Sequence, residues 1–145
     1  MKFKSLFLMV VLFTWLGKAF SGTEPVLLNP LSSPFYLEDG EFLGTLGMMC
    51  GESGTVAITT DEGLTWSLKH LAPYVTLKQV IIEDANTFWL LSDSLLYKSN
   101  DGGNTFDILY SAATGEKFIR LRIEGTQAWL LSSTDSPLQQ SIITK

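Results

Sequence analysis

Two eight-residue segments of this chain follow one pattern, forty positions apart. Residues 59–66 read TTDEGLTW and residues 99–106 read SNDGGNTF. In both, Ser or Thr comes first, Asp third, Gly fifth, Thr seventh and an aromatic residue last. The tetrapeptide WLLS also recurs at residues 89–92 and 129–132. These matches in one frame predict an internal repeat of about forty residues. The three units would be centred on Met49, Trp89 and Trp129.

The residues between these motifs predict β-strands. Residues 77–84, 86–93, 95–99 and 104–111 are short, rich in β-branched and aromatic residues, and separated by Asn, Asp, Gly and Ser. No stretch after residue 21 has a helical apolar stripe longer than about two turns. Four short strands per forty residues are typical of one blade of a β-propeller. We therefore expect an all-β chain, a β-propeller of four-stranded blades that is incomplete, with about three blades.

The segment KFIRLRI, residues 117–123, alternates along its length. A strand with a period of two would place one set of alternate side chains on each face. The first face would carry Ile119, Leu121 and Ile123. The opposite face would carry Phe118, Arg120 and Arg122, with the two arginines in solvent.

The first 21 residues are typical of a secretory signal peptide. Lys2 and Lys4 precede an uncharged apolar run at residues 5–17, and small residues flank the cleavage point near Ser21. An uncleaved membrane anchor is the alternative, but thirteen apolar residues fall short of the roughly 20 that span a bilayer. We expect export, to the periplasm or outside the cell. The predicted division is residues 1–21 signal peptide, 22–40 linker or first strand, and 41–145 partial propeller, with blades at 41–72, 73–112 and 113–145.

Charge and cysteine content exclude several classes of partner. Residues 1–21 hold three lysines and no acid, which leaves seven basic and fifteen acidic residues, a net charge of −8. An acidic surface without Lys and Arg clusters disfavours nucleic acids and anionic membranes. Cys50 is the only cysteine, so no internal disulfide forms. Because Met48 and Met49 precede it, we expect Cys50 to be a small buried hydrophobic residue.

Each eight-residue segment is predicted to be a turn between the third and fourth strands of its blade. Asp61 and Asp101 are placed to accept hydrogen bonds from backbone N–H groups of the turn. Gly63 and Gly103 are expected at positive φ, where a side chain would clash. Each turn has at most two carboxylates, whereas Ca²⁺ takes six to eight oxygens, so a structural role is favoured over a metal site.

The aromatic residue that ends each turn is expected to open the fourth strand and enter the core. Truncating Trp66 or Phe106 to Ala should then cost about 3–5 kcal/mol. We expect neither a cofactor nor a metal. The predicted structural residues are Thr59, Asp61, Gly63, Thr65, Trp66, Ser99, Asp101, Gly103, Thr105 and Phe106 in the turns, with Trp89 and Trp129 in the blade cores.

The turn pattern resembles the Asp-box, also called the BNR repeat, of β-propellers. It occurs in sialidases, sortilin-type receptors, some glucanases and photosystem II assembly-factor-like proteins. Residues 50–66, CGESGTVAITTDEGLTW, most resemble the repeat unit of the assembly/stability factor-like group. Gly51 and Gly54 stand at the positions of that unit's two glycines. Leu91 and Ser94 stand at those places in the second blade, so that blade departs from the pattern. The resemblance covers about residues 40–145 and implies a fold, whereas the function differs among these proteins.

The residues argue against catalysis. Sialidases, as the resemblance implies, hold the substrate carboxylate with three arginines, and this chain has only Arg120 and Arg122. His70 is the only histidine, which leaves little for a zinc cluster or a Ser-His-Asp triad. The acids at 38–39 and 83–84 are expected to be solvated ends of loops rather than a glycosidase pair. We expect a non-enzymatic module.

Propellers typically close with four to eight blades, and this chain has about three. We expect a truncated form of a longer propeller, or self-association through open blade edges. The predicted role is protein binding or assembly, similar to an assembly factor. The alternative is a fragment of a sialidase-like glycoside hydrolase that lacks its catalytic residues.

Overall fold

The computed structural model describes residues 36–134 and 139–144, with side chains given for the first of these ranges. The predicted signal peptide, residues 1–21, and the first part of the predicted linker lie outside the described residues. Within the described part of the chain all extended structure is antiparallel, and the single helical element is a 3-10 turn at Glu52–Gly54. The prediction of an all-β chain is confirmed.

The strands form three sheets in chain order. The first sheet contains β1 (Leu37–Leu43), β2 (Leu46–Gly51), β3 (Thr55–Thr59) and β4 (Ser67–His70), each paired with the next. The second contains β5 (Leu77–Ile82), β6 (Phe88–Ser92), β7 (Leu95–Ser99) and β8 (Asp107–Ser111) in the same order. The third is built on the hairpin of β9 (Lys117–Glu124) and β10 (Gln127–Ser133), to which β11 (Gln139–Thr144) adds. Because β1 begins at Leu37, the first sheet starts before the predicted boundary at residue 41.

Two apolar clusters hold the sheets together. The cluster between the first two sheets contains Met48, Cys50 and Val56 from one side and Val80, Phe88 and Leu90 from the other. The cluster between the second and third sheets joins Trp89, Leu91 and Leu96 to Phe118, Leu121, Ala128 and Leu130. The second sheet is therefore covered on both faces. No closure of the sheets into a ring is detected in the described residues.

The first strand of every sheet contains a register shift that sequence periodicity does not reveal. The pairing skips Glu38 in β1, Lys78 in β5 and Ile119 in β9. A β-bulge puts an extra residue into one strand and breaks its alternation. As a result Phe118 and Leu121, three residues apart, enter the same cluster, while Ile119 is 49% exposed. The expected two-face pattern of residues 117–123 therefore fails at Phe118 and Ile119 and holds from Arg120 to Ile123.

The prediction that the first unit is centred on Met49 is also wrong by one residue. Met48 is fully buried against the second sheet, whereas Met49 lies on the opposite face and is half-buried. Five residues separate the paired Cys50 and Val56, but four separate Leu91 and Leu96. A slip of one residue moves a strand's side chains to the other face. Met48 therefore occupies in the first sheet the place that Trp89 has in the second.

Candidate functional site

The segment 59–66 forms a closed hydrogen-bonded turn between β3 and β4. Asp61 is its centre: Oδ1 accepts the backbone N–H of Thr65 at 2.8 Å, and Oδ2 accepts the Thr65 hydroxyl at 2.6 Å. The Thr59 hydroxyl donates to Asp61 Oδ1 at 2.7 Å and accepts the N–H of Gly63 at 3.0 Å. The N–H of Glu62 donates to Thr45 O, in the loop between β1 and β2. One carboxylate and one hydroxyl thus accept the backbone N–H groups of Asp61, Gly63 and Thr65, and backbone carbonyls accept those of Glu62 and Leu64.

The segment 99–106, between β7 and β8, makes the same bonds. Asp101 accepts the N–H of Thr105 at 2.9 Å and its hydroxyl at 2.6 Å. The Ser99 hydroxyl donates to Asp101 Oδ1 at 2.8 Å and accepts the N–H of Gly103 at 2.9 Å. The N–H of Gly102 donates to Asn86 O, in the loop between β5 and β6. The two segments are the same turn at the same place in their sheets.

Hydrogen bonds lower the pKa of the two carboxyl groups. The Thr65 hydroxyl, assisted by the Thr65 N–H and the Thr59 hydroxyl, lowers the pKa of Asp61 to about 2. The Thr105 hydroxyl, with the Thr105 N–H and the Ser99 hydroxyl, does the same for Asp101, also to about 2. Both groups are therefore ionised acceptors at neutral pH, committed to the backbone of their own turns.

The aromatic residues that end the turns are half-buried, which is less than the sequence led us to expect. Trp66 donates from Nε1 to Gly63 O at 3.0 Å and packs edge-on against Phe42, with ring centroids 5.9 Å apart. Phe106 packs against the cluster between the first two sheets. Since neither ring is fully enclosed, the expected cost of 3–5 kcal/mol for truncation is too high.

The two tryptophans of the WLLS motifs differ in burial. Trp89 is 1% exposed, donates from Nε1 to Glu83 Oε2 at 3.0 Å, and has Lys98 Nζ 4.8 Å from its ring centroid. Trp129 is half-buried and lies on the outer face of the third sheet, away from the second cluster. The predicted core position thus holds for Trp89 and not for Trp129. The reason is that the described residues place no sheet against the outer face of the third.

Side chains of the first strands link neighbouring sheets, a feature that sequence reasoning missed. Asp39 Oδ2 accepts the N–H of Val80 at 2.9 Å, and Glu41 Oε2 accepts the N–H of Ile82 at 2.7 Å. Gln79 repeats the link one sheet further, because its amide accepts the N–H of Leu121 at 2.8 Å and donates to the carbonyl of the same residue at 2.9 Å. Edge backbone groups of β5 and β9 are satisfied in this way.

These bonds correct, for Asp39, the expectation that the acids at 38–39 and 83–84 are solvated ends of loops, whereas Glu38, Glu83 and Asp84 are exposed as expected. Asp39 lies within β1 and is half-buried. Glu83 is exposed but accepts the indole N–H of Trp89. Asp84 is also exposed, and its Oδ1 accepts the N–H groups of Asn86 and Thr87 at 2.8 and 2.9 Å. A spacing of forty between Asp39 and Gln79 is the only sequence signal that could have indicated the shared role of these two.

The surroundings of the potentially reactive side chains Cys50 and His70 indicate structural roles. Cys50 is fully buried, and burial, with the charge of Asp39, raises its pKa to about 12. A thiol in that state is not a nucleophile at neutral pH. His70 lies at the end of β4, with Nδ1 3.4 Å from the Thr55 hydroxyl. No group of three or more His, Cys, Asp or Glu side chains able to hold a metal occurs among the residues that the structure describes.

A concave surface lies on the outer face of the third sheet. It is a groove of about 540 Å³ lined by Arg120, Arg122, Glu124, Trp129 and Leu131. Arg122 Nε lies 2.7 Å from Glu124 Oε1, and both side chains are exposed. The arginines are on the open face of a strand, as expected. The groove therefore combines an apolar floor of Trp129 and Leu131 with a rim of both charges.

Comparisons with known proteins leave the chain without a family. No protein-family model matches the sequence, and no curated protein matches it. In the part of the chain that the structure describes, no helix has the length and hydropathy required to cross a membrane.

Proposed function

We propose that the chain is an exported, non-enzymatic β-propeller module of the Asp-box type, whose role is protein binding or assembly. The observation that carries the proposal is the identity of the two turns. The same carboxylate and hydroxyl bonds recur forty residues apart, each time between the third and fourth strands of a four-stranded sheet. Sheets that repeat one unit and stack in chain order are typical of propeller blades.

The links between first strands support the same proposal. Asp39 accepts the N–H of the fourth residue of β5, and Gln79 accepts the N–H of the fifth residue of β9. Both donors lie two residues after the bulge of their strand. A repeated contact between successive sheets is what a radial arrangement of blades requires. Four-stranded units joined by both an apolar cluster and a polar link form a rigid support for exposed connections.

Tyr74 is the residue through which we propose that a protein partner is bound. It is 99% exposed and lies in the connection between β4 and β5 with φ +73°. The left-handed region costs a residue with a side chain about 1–2 kcal/mol. The connection is held on both sides, because the N–H of Gly54 donates to Val75 O at 2.6 Å and that of Val75 donates to Ala72 O at 3.3 Å. Tyrosine is enriched where proteins meet, and here it is presented on an ordered connection.

The alternative, a piece of a glycoside hydrolase, lacks a specific supporting observation. Its chemistry needs two carboxyl groups facing a common space. Among the described acids, Asp39 and Glu41 accept backbone N–H groups of β5, and Asp61 and Asp101 accept hydrogen bonds from their own turns.

Site-specific photo-crosslinking tests the proposal. A photoreactive phenylalanine analogue is placed at Tyr74 and, as a matched control, at Ile108, which is 56% exposed in β8. We expect one discrete crosslinked protein from position 74 in the exported fraction and none from position 108. With that protein purified, Tyr74→Ala should weaken binding at least about tenfold, as for an aromatic hot spot. Equal crosslinking from both positions, or hydrolysis of chromogenic glycosides by the purified chain, would contradict the proposal.

A further inference from the structure

The β-bulges of the three first strands meet at one cavity. Each bulge consists of a residue that the strand pairing skips and the residue after it, namely Glu38 with Asp39, Lys78 with Gln79, and Ile119 with Arg120. All of these residues line a cavity of about 230 Å³. Bulges redirect side chains and are over-represented beside functional sites. The cavity is therefore built from equivalent positions of all three sheets.

The two side chains that the second sheet contributes to the cavity are already bonded within the protein. The amide of Gln79 uses both its oxygen and its nitrogen on the backbone of Leu121. The ammonium group of Lys78 forms an ion pair with Asp93. A ligand in the cavity would compete with existing bonds for both side chains, so its main contacts must come from the first and third sheets.

Two opposite charges at the cavity are unpaired within the part of the chain that the structure describes. Neither the Glu38 carboxylate nor the Arg120 guanidinium makes a hydrogen bond or an ion pair with another described residue. Asp39 adds a further acceptor, because it bonds to the N–H of Val80 through Oδ2 and keeps Oδ1 available. The cavity thus has hydrogen-bond acceptors on its β1 side and donors on its β9 side.

The position of Arg120 in its sheet argues against a purely structural role. Arg120 is paired with Leu131 as Gln79 is paired with Leu91, each directly after the bulge. Gln79 uses this position to accept a backbone N–H group of the next first strand, as Asp39 does one sheet earlier. An arginine donates hydrogen bonds and accepts none, so it cannot make that link. Its guanidinium suits a carboxylate instead.

Size and charge together define the ligand. Pockets for drug-sized ligands have about 300–1,000 Å³, so a cavity of about 230 Å³ suits a smaller molecule. A molecule with negative charge alone is repelled by Glu38 and Asp39, and one with positive charge alone is repelled by Arg120 and Lys78. A neutral molecule would take the unpaired charges out of water without replacing it by an opposite charge. A small zwitterion compensates both signs.

We propose that this cavity binds a free α-amino acid with a small side chain. The carboxylate of the ligand accepts hydrogen bonds from Arg120, and its ammonium group donates to Glu38 and to Asp39 Oδ1. The side chain of the ligand lies towards Ile119, the apolar member of the lining. This site is independent of the proposed protein partner, since Tyr74 is not among the residues that line the cavity.

Isothermal titration calorimetry and saturation-transfer NMR on the protein isolated after export test the proposal. Glycine, L-alanine, L-serine and L-valine are each titrated singly. We expect saturable binding of at least one of them, with one ligand per chain. The best ligand is then compared with its N-acetyl derivative, which lacks the ammonium group, and with its amide, which lacks the carboxylate. Each derivative should bind at least about tenfold more weakly, because it loses a charge-assisted hydrogen bond.

Matched charge variants locate the site. Arg120→Gln and Glu38→Gln should each weaken binding at least about tenfold. Arg122→Gln is the control, because it removes the same charge two residues further along β9, where Arg122 pairs with Glu124. It should bind as the wild type does. Far-UV circular dichroism establishes that the variants fold. Should Arg120→Gln fail to fold, Arg120→Lys replaces it, and it should still weaken binding because lysine cannot hold a carboxylate with two parallel bonds.

Three results would overturn the inference. The first is the absence of saturable binding of any of these amino acids by both methods. The second is a derivative without one of the charges that binds as tightly as the amino acid itself. The third is weaker binding in Arg122→Gln together with unchanged binding in Glu38→Gln, which would place the ligand in the outer groove that Arg120 also lines. Tyr74→Ala should bind the amino acid as the wild type does, so the failure of either proposal is seen separately.

Discussion

The two turns contain the same internal hydrogen bonds but differ in what lies beside them. In both, an aspartate accepts the N–H and hydroxyl of a threonine, and a Ser or Thr hydroxyl accepts the N–H of a glycine. Turn 1 (59–66) has its ring, Trp66, against Phe42 of its own sheet. Turn 2 (99–106) has its ring, Phe106, against the cluster between two sheets.

Turn 2 is also fixed to the preceding sheet. Lys69 Nζ, from β4, donates to Gly103 O at 2.6 Å. A Cβ added to Gly103 would lie 2.6 Å from Ile58 Cδ1 and 3.0 Å from the ring of Phe88. The local sequence thus determines the bonds inside a turn, whereas the stacking of sheets determines how much a change in the turn costs.

The largest expected effect of this difference is at Gly103. Gly103→Ala should lower the free energy of unfolding by about 2–4 kcal/mol, since a left-handed residue with a side chain is strained and the methyl group overpacks the space beside Ile58 and Phe88. Gly44→Ala is the matched control, because Gly44 also has positive φ but nothing within 4 Å of its added Cβ. It should cost about 1 kcal/mol. Urea unfolding of both variants gives the comparison, and equal losses would contradict it.

The stability lost on truncating the ring that ends each turn should differ between the two turns by less than the two glycine substitutions differ. Phe106→Ala should cost about 2–3 kcal/mol, because it removes part of the cluster between two sheets, although the ring is only half-buried. Trp66→Ala should cost about 1–2 kcal/mol, since that ring lies on an outer face. Both values come from equilibrium unfolding. A larger loss at Trp66 than at Phe106 would show that a further surface covers the outer face of the first sheet in solution.

A reciprocal exchange at the fourth position of each turn should produce a smaller effect of opposite sign. Turn 1 has Glu62 at φ +60° where turn 2 has Gly102 at φ +69°. Glu62→Gly should raise the free energy of unfolding by up to about 1 kcal/mol, and Gly102→Ala should lower it by about 1 kcal/mol. Thermal melts at neutral pH measure both. A loss of stability in Glu62→Gly would mean that the Glu62 side chain contributes more than its strain costs.

Sequence periodicity predicted the class of the fold because strand and turn signals are local. The segments around residues 77–111 match β5 to β8 closely, and the turn pattern lies between third and fourth strands in both sheets. The bulges could not be predicted, because a register shift depends on how a first strand meets its neighbour. One bulge moved Phe118 into the core and Ile119 out of it. A loop longer by one residue moved the first unit from Met49 to Met48 in the same way.

For the candidate site, the residues inside each turn could be predicted and their surroundings could not. Asp61 and Gly63 follow from turn chemistry, which needs an acceptor and a residue tolerant of positive φ. The roles of Asp39 and Gln79 needed the relative position of two sheets. Trp129 shares its tetrapeptide with Trp89 but not its burial, since burial depends on a neighbouring sheet rather than on the strand itself.

The acid response of the two turns should be the smallest effect, and it tests their equivalence. Both aspartates have a pKa of about 2 in the fold, below the ordinary 3.8. The unfolded chain therefore binds these protons at a higher pH than the folded chain does. The stability that the two carboxylates contribute is complete above about pH 4 and is lost as the pH falls towards 2.

Asparagine variants isolate that response, because Asn keeps an oxygen acceptor but has no charge to lose. Asp61→Asn and Asp101→Asn should each be less stable than the wild type at pH 7 and should each lose less stability between pH 4 and pH 2. If the hydrogen bonds inside each turn alone determine the acid response, both variants reduce the pH dependence of the free energy of unfolding by the same amount, although the two turns have different neighbours. Urea midpoints across that range make the measurement. If either variant lost as much stability between pH 4 and pH 2 as the wild type does, its carboxylate would not be held by the turn. If the two variants lost unequal amounts, the contacts of turn 2 with the first sheet would extend to Asp101.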